Sequence, residues 1–245
     1  MWVDINVHLE LMSASTESVN QATNASSVKF IATGTHPDQW RWLVGRTRHL
    51  AFGLHPQYAA VSSDWLSLLE QYLGSHPGSA MGEVGLDFRP HMPAREIQQR
   101  VFENQLALAK ELDRPVIIHA VKSHTEVIST LKRVGLNRFV IHAFLGSEDI
   151  AAAYLTLGGY LSAGGLMTRT PRPRALDVFR NMPTHRLLLE TDAPDLPMTE
   201  MVESSPEHLP MIGRSLAADL GISVPALEQL SYSNACVLFD HDFSQ

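Results

Sequence analysis

The sequence has very little cysteine and no long apolar run. Cys236 is the one cysteine among 245 residues, so an internal disulfide is excluded and a reducing compartment is favoured. No stretch approaches about 18 consecutive apolar residues, so we expect no membrane-spanning helix. The first residues, MWVDINVHLE, contain no basic segment followed by an apolar one, so we expect no signal peptide. Together these features predict a cytoplasmic protein that does not contact a membrane.

Positive charge is also scarce. The chain has 19 Lys and Arg against 26 Asp and Glu, which gives a formal net charge of −7. Proteins that bind nucleic acid through bulk electrostatics are usually basic, so any DNA contact must use a local basic patch or bound cations. The charge therefore argues against tight non-specific DNA binding and leaves catalysis on DNA open.

The length and the apolar pattern predict a single α/β domain over residues 1–245. A barrel of alternating strands and helices needs about 250 residues. Short apolar or β-branched runs bounded by turn signals predict eight strands, and their nearly continuous apolar character is typical of parallel strands buried on both faces. The predicted strands are Trp2–Asn6, Val28–Thr33, Leu50–Leu54, Ala80–Leu86, Pro115–His119, Phe139–Ala143, Tyr160–Ala163 and Arg186–Thr191.

Amphipathic segments between the strands predict helices. In the clearest, Ala94–Leu112, the apolar residues Ile97, Val101 and Leu108 share one face. Strands that alternate with helices favour a closed (β/α)8 TIM barrel. The alternative is an open doubly wound sheet, which is weakened because no glycine-rich dinucleotide loop follows the first strand. Further helices are predicted at Trp65–Leu73, Thr125–Val134, Asp149–Leu157, Ala175–Asn181 and Leu209–Leu220, with another that begins near Pro225.

Histidines and carboxylates lie at or just past the ends of several predicted strands, and Glu83 lies within the fourth. The C-terminal ends of barrel strands meet at one mouth, so these residues are expected to lie together there. Imidazole and carboxylate groups suit Zn²⁺, Mn²⁺ or Mg²⁺, and the set predicts a divalent metal site, although any one residue could be a buried structural group. The residues are His8, His55, Glu83, His119, His142 and Asp192. The other histidines, including His49 and His241, are expected at the surface.

Several of these residues belong to motifs that resemble the TatD family. The segment Gly82–Asp87 is similar to the motif Gly-Glu-x-Gly-Leu-Asp, and Glu190–Pro194 matches Glu-Thr-Asp-Ala-Pro. Gly53–Pro56, Pro115–His119 and Ile141–Phe144 are weaker matches. The resemblance covers nearly the whole chain in the right order, and a YjjV-type branch of the family is the nearer match for some segments.

The resemblance implies a TIM-barrel hydrolase with one or two divalent metal ions. Glu83 would bridge two metals, one held by His119 and His142 and the other by His8 and Asp192. Here Asn6 replaces the first histidine of the family's Asp-x-His-x-His motif. An amide oxygen binds hard cations but is a poor ligand for Zn²⁺, so we expect a weaker first metal or a mononuclear site.

Catalytic roles follow as hypotheses from this metal chemistry. We expect Asp192 to orient or deprotonate the attacking water, with Glu83 between the metals. His55 is expected to contact the scissile phosphate or the leaving oxygen. The alternative for His55 is a histidine held by the turn at Pro56.

Basic residues after strands five and seven are candidates for phosphate binding. Loops after strands seven and eight of barrels often bind phosphate, and arginine suits phosphate oxygens. A solvated loop is the alternative. The candidates are Arg169, Arg172, Arg174 and Lys122, and Arg89 after strand four could add a phosphate contact.

The residue pattern alone predicts a metal hydrolase at a barrel mouth, and the resemblance implies a phosphodiester hydrolase, a TatD-type deoxyribonuclease with DNA as substrate. We expect no stable protein partner. One alternative is a metal-dependent hydrolase of another ester or amide, such as a D-aminoacyl-tRNA ester. Glu83 speaks against a typical amidohydrolase, which uses a modified lysine at this place. A second alternative, an inactive metal- or partner-binding barrel, is kept open by Asn6.

Overall fold

The computed structural model describes residues 1–25, 27–61, 64–171 and 173–244. Eight parallel strands form one sheet in which each strand pairs with the next along the chain. The barrel nearly closes where Val7 of the first strand forms a parallel bridge with Ala193 in the loop after the last strand, and the His8 amide donates to the Ala193 carbonyl at 2.7 Å. The fold is a nearly closed single-domain barrel, which confirms the predicted (β/α)8 class.

The strands lie where the sequence predicted them, but several ends differ. They are β1 Trp2–Val7, β2 Val28–Gly34, β3 Leu50–Phe52, β4 Ala80–Asp87, β5 Val116–Val121, β6 Phe139–Ile141, β7 Tyr160–Ala163 and β8 Leu187–Leu189. We expected His119 to end its strand, but β5 continues to Val121. His55, His142 and Asp192 lie in the loops that follow β3, β6 and β8, rather than at the strand ends.

Helices alternate with the strands around the sheet. They are α1 Thr16–Ala25, α2 Pro37–Leu43, α3 Trp65–Ser75, α4 Arg95–Glu111, α5 His124–Val134, α6 Glu148–Thr156, α7 Ala175–Asn181, α8 Leu209–Leu220 and α9 Val224–Phe239. Helix α1 was not predicted because its sequence, TESVNQATNA, is mostly polar and buries only Val19 and Thr23. No helix in the described part of the chain has the length and apolar character to cross a membrane.

The side chains of the strands alternate between two apolar layers. In β5, Ile117 belongs to an inner cluster, whereas its neighbours Val116 and Ile118 pack in the outer cluster with the helices. Each strand contributes to the inner cluster, and Phe239 and Phe243 extend it at the C-terminal end of the chain. This alternation also sets the direction of polar residues further along, because His119 shares the inward side of the strand with Ile117.

The alternation is interrupted in β1 and in β4. The pairing register shifts between Asp4 and Val7 in β1, and between Met81 and Val84 in β4. Strict alternation from the inner residue Ala80 would direct Val84 inward, yet Val84 packs in the outer cluster. A β-bulge redirects the side chains beyond it, and here the shift turns Glu83 into the barrel mouth.

Candidate metal centre

The six residues predicted to meet all line one cavity at the C-terminal mouth of the barrel. The cavity has a volume of about 370 Å³, and each of the six residues is between 2% and 9% exposed. The lining includes Leu11, Leu145 and Asp195 at the rim. Buried titratable groups are costly unless they are paired, so their concentration here points to a site built for ligand binding.

Glu83 lies at the centre, and its two carboxylate oxygens face different partners. Oε1 lies 2.7 Å from Nδ1 of His119 and 2.9 Å from Nε2 of His142. Oε2 lies 3.2 Å from Nε2 of His8 and 3.1 Å from the amide nitrogen of Asn6. The geometry divides the centre into a His119–His142 half and a His8–Asn6 half, with Glu83 shared between them.

Asp192 completes the half that contains His8. Its Oδ1 lies 3.5 Å from Nε2 of His8 and 2.8 Å from the amide nitrogen of Asn6. The ligand atoms of His8, Glu83 and Asp192 lie within 4.8 Å of one another, as a shared cation requires. Backbone at Asp192 is left-handed, with φ 56°, a conformation that aspartate tolerates better than most residues.

The donor set fits a divalent metal ion. Nitrogen and carboxylate oxygen ligands converge from several strands, and the lining contains no lysine among the described residues. Within the described part of the chain, Oδ1 of Asn6 is buried and has no hydrogen-bond partner. Reversal of this amide would direct that oxygen towards Glu83 and Asp192, an arrangement that a cation between them would stabilise.

His55 is held by the turn that follows it, and it also faces the centre. Its Nδ1 accepts a hydrogen bond from the Gln57 amide at 3.2 Å, and its Nε2 lies 3.6 Å from Oε1 of Glu83. Burial lowers the pKa of His55 to about 3, so the ring is neutral with its proton on Nε2. The ligand atoms of His55, Glu83 and His119 lie close enough to share a cation. A nitrogen that carries a proton cannot bind a metal, however. His142 is therefore better suited than His55 to bind the same ion as His119.

The carboxylates and histidines of the centre shift one another's pKa values. Burial alone would raise the pKa of Glu83, but His142, His119 and His8 hold it well below its usual range. Burial opposes protonation of His8 and His142, yet the pKa values of both lie well above the usual range because Glu83 and Asp192 are close. The protons on these two rings therefore offset the negative charge of the carboxylates, which a bound cation would otherwise offset.

Glu190 and Asp4, which were not predicted as site residues, are further buried carboxylates beside the centre. Oε1 of Glu190 accepts the Ala143 amide at 2.5 Å and lies 3.5 Å from Nδ1 of His142. Asp4 accepts hydrogen bonds from the amide and hydroxyl of Thr191 at 3.0 and 2.5 Å, and burial raises its pKa to about 8. Both residues occur in the motifs quoted above. Asp4 lies two residues before Asn6 and Glu190 two residues before Asp192, and this spacing could have indicated that they lie beside the centre.

The described candidates for phosphate binding after strands five and seven lie away from the cavity lining. Arg169, Arg174 and Lys122 are exposed, and none of them lines the cavity. Arg172 lies outside the described residues. Of the basic candidates that the structure describes, Arg89 is the one that lines the cavity, and its guanidinium binds Asp87. A role for Arg169, Arg174 or Lys122 in substrate binding stays a prediction.

Comparison with known proteins identifies the family. The model of the TatD related DNase family matches residues 3–240. The metal-dependent hydrolase YjjV of Escherichia coli is 34% identical over 209 residues, which cover 80% of this chain and 81% of that protein. The 3'-5' ssDNA/RNA exonuclease TatD of Edwardsiella piscicida is 34% identical over 198 residues, or 76% of each chain. The crystal structure of Escherichia coli YjjV superposes with a TM-score of 0.92 at 31% identity, covering 98% of each chain. The chain therefore belongs to the family of TatD-related DNases, which are metal-dependent hydrolases.

Proposed function

We propose that the protein is a metal-dependent phosphodiester hydrolase that acts on DNA. The main support is the position of Glu83, whose Oε1 faces His119 and His142 while its Oε2 faces His8. A carboxylate shared in this way suits one or two divalent ions, of which Mg²⁺, Mn²⁺ and Zn²⁺ are candidates. A relative named as a single-stranded DNA and RNA exonuclease supports nucleic acid as the substrate.

The residues around Glu83 can divide the work of hydrolysis between them. When bound, the metal would polarise a phosphoryl oxygen and acidify a water molecule. Asp192, whose Oδ1 lies 3.5 Å from His8, orients that water and accepts its proton at a carboxylate oxygen. His55 donates a hydrogen bond from Nε2 to the scissile phosphate or the leaving oxygen, because its Nδ1 is occupied by the Gln57 amide.

The two halves of the centre are proposed to bind metal with different strength. The half with His119 and His142 offers two imidazoles and Oε1 of Glu83. In the other half Asn6 contributes a neutral amide beside His8 and Asp192. The second ion is therefore held more weakly, and the centre is mononuclear at low metal concentration.

We also propose a cytoplasmic location, which the half-buried free thiol of Cys236 supports.

The rim of the cavity favours a second candidate, the hydrolysis of a different ester or amide. Leu11 and Leu145 are 51% and 50% exposed at the mouth. Arg89 is the one arginine or lysine among the lining residues that the structure describes, and Asp195 adds negative charge. A long polyanion gains little from such a rim, whereas a small ester with an apolar group would pack against it.

A substrate panel separates these candidates. The metal-loaded protein is offered single-stranded DNA, a D-aminoacyl ester and an N-acyl amide, with Asp192→Asn as the matched control. We expect cleavage of DNA that requires Asp192. Cleavage of the D-aminoacyl ester alone would replace DNA by an ester substrate, and failure with all three substrates despite metal binding would remove the proposed hydrolysis.

A further inference from the structure

We propose that Asp87 and Arg89 are positioning residues that fix the ring of His119 for metal binding through Nδ1. The inference rests on the metal dependence of the proposed function and is independent of DNA as the substrate. Asp87 is fully buried, whereas the side chain of Arg89 is 50% exposed at the cavity. The two residues follow Glu83 on and just beyond strand β4, so one strand supplies both the shared carboxylate and the support of a neighbouring ligand.

The ring nitrogens of His119 face two different carboxylates. Nδ1 lies 2.7 Å from Oε1 of Glu83 and 3.0 Å from Nε2 of His142, inside the centre. Nε2 lies 3.3 Å from Oδ2 of Asp87, on the other side of the ring. A carboxylate at Nε2 holds the proton there, which leaves the lone pair of Nδ1 directed at the metal position.

Asp87 is itself held in place from two directions. The guanidinium of Arg89 donates from Nε to Oδ1 at 3.0 Å and from Nη2 to Oδ2 at 2.5 Å. The backbone amide and carbonyl of Asp87 both bond to the side chain of Gln98, each at 2.8 Å. A bidentate arginine fixes the plane of a carboxylate, so Arg89 sets the orientation in which Asp87 meets His119.

Because Arg89 is positively charged, its substitution distinguishes a positioning role from a direct electrostatic effect on the metal ion. A positive charge near a cation site weakens cation binding, so Arg89→Gln would tighten metal binding if charge alone mattered. If Arg89 acts by holding Asp87, the same substitution loosens His119 and weakens metal binding. The two accounts predict opposite signs for one measurement.

The test measures Co²⁺ binding by the metal-stripped, full-length protein, using the visible absorption of the ion and competition with a chelator. We expect Asp87→Asn to weaken binding by about 10–100-fold, as loss of a supporting partner usually does. Arg89→Gln should weaken binding in the same direction, and Arg89→Lys should restore it only in part because lysine cannot form the fork. Arg95→Gln is the matched control, since Arg95 is exposed and stacks on Phe88 at 4.2 Å.

A second readout follows the His119 ring directly. In the Zn²⁺-loaded protein, the ¹⁵N shifts of His119 should report a proton on Nε2, and Arg89→Gln should increase its exchange with water. Co²⁺ binding by Arg89→Gln that is equal to or tighter than wild type would overturn the proposal, as would an equal loss in Arg95→Gln. Arg89 is half exposed, so its variants are expected to fold. They therefore test the proposal even if Asp87→Asn does not fold.

Discussion

The amide nitrogen of Asn6 lies 2.8 Å from Oδ1 of Asp192, and the same nitrogen lies 3.1 Å from Oε2 of Glu83. A neutral donor thus joins the two carboxylates that would otherwise need a cation between them. The relationship gives Asn6 a definite effect on the centre, because the hydrogen bonds hold Asp192 and Glu83 together while offering no nitrogen ligand. The difference between the two halves of the centre follows from this one residue.

Substitution of Asn6 by histidine should strengthen the weaker half of the centre. An imidazole at this position replaces two hydrogen bonds with a ligand that Zn²⁺ and Mn²⁺ prefer. We expect Asn6→His to raise the number of ions bound per chain towards two, measured by equilibrium dialysis and elemental analysis. Asn6→Ala, which removes the amide without adding a ligand, serves as control, and an equal rise in Asn6→Ala would contradict the explanation.

Metal affinity should fall as the pH is lowered. The pKa values of His8 and His142 are raised by Glu83 and Asp192, so both rings hold protons more firmly than an ordinary histidine. These protons must leave before a metal binds, and the affinity therefore rises with pH until the raised pKa values are passed. Titration calorimetry in buffers of different ionisation enthalpy measures the proton release between about pH 6 and 8. Heats that do not depend on the buffer would show that the rings are already neutral.

Gly85 should tolerate no side chain, in contrast to a glycine elsewhere in the fold. Its φ is +151°, and a Cβ there would lie 2.0 Å from the backbone oxygen of His119. Strain and overpacking each cost about 1–3 kcal/mol, so Gly85→Ala should lower the free energy of unfolding by at least about 2 kcal/mol. Gly74 in helix α3 has nothing within 4 Å, and Gly74→Ala should stabilise by about 0.5–1 kcal/mol. Denaturant unfolding of both variants checks the opposite signs.

His49 should make the protein labile to acid. The prediction that it lies at the surface was wrong, since it is 8% exposed and packs edge-on against His241. Burial lowers its pKa from 6.5 to about 4, with His241 and Arg48 adding to the effect. As the pH falls, His49 binds a proton below about pH 6.5 in the unfolded chain but only near pH 4 in the folded one. His49 therefore costs no stability above about pH 6.5. Towards pH 4 it lowers the free energy of unfolding by roughly 1–2 kcal/mol, after allowance for solvent screening.

The phenylalanine variant isolates this contribution of His49. His49→Phe keeps an aromatic ring against His241 and removes the titrating group. We expect its free energy of unfolding to change less with pH between about 6.5 and 4 than that of the wild type. His185→Phe, which alters an exposed histidine, is the control. A wild-type pH dependence in His49→Phe would assign the acid lability to other groups.

The fold could be predicted because the strands are buried on both faces and the chain alternates regularly. Apolar runs such as Tyr160–Ala163 appear in the structure with the predicted bounds. Helix α1 escaped prediction because it buries only Val19 and Thr23. A helix that covers the barrel with so few apolar contacts has a weak periodic signal.

The centre could be predicted only in part. His119 and His142 continue the inward side of their strands from Ile117 and Val140, so their meeting follows from strand alternation. Glu83 was predicted from its motif, but its inward direction depends on a register shift in β4, which no residue pattern reveals before the pairing is known. Asp87 was missed for a different reason, because its partners Arg89 and His119 approach it from a loop and a neighbouring strand.

The most direct test of the account is cleavage of end-labelled single-stranded DNA by metal-stripped protein, with Mg²⁺, Mn²⁺ or Zn²⁺ restored one at a time and Asp192→Asn in parallel. We expect stepwise shortening that begins only when metal is restored and is absent in Asp192→Asn, whose melting temperature stays close to that of the wild type. Shortening without metal, or at the wild-type rate in Asp192→Asn, would contradict a hydrolysis centred on Glu83 and Asp192.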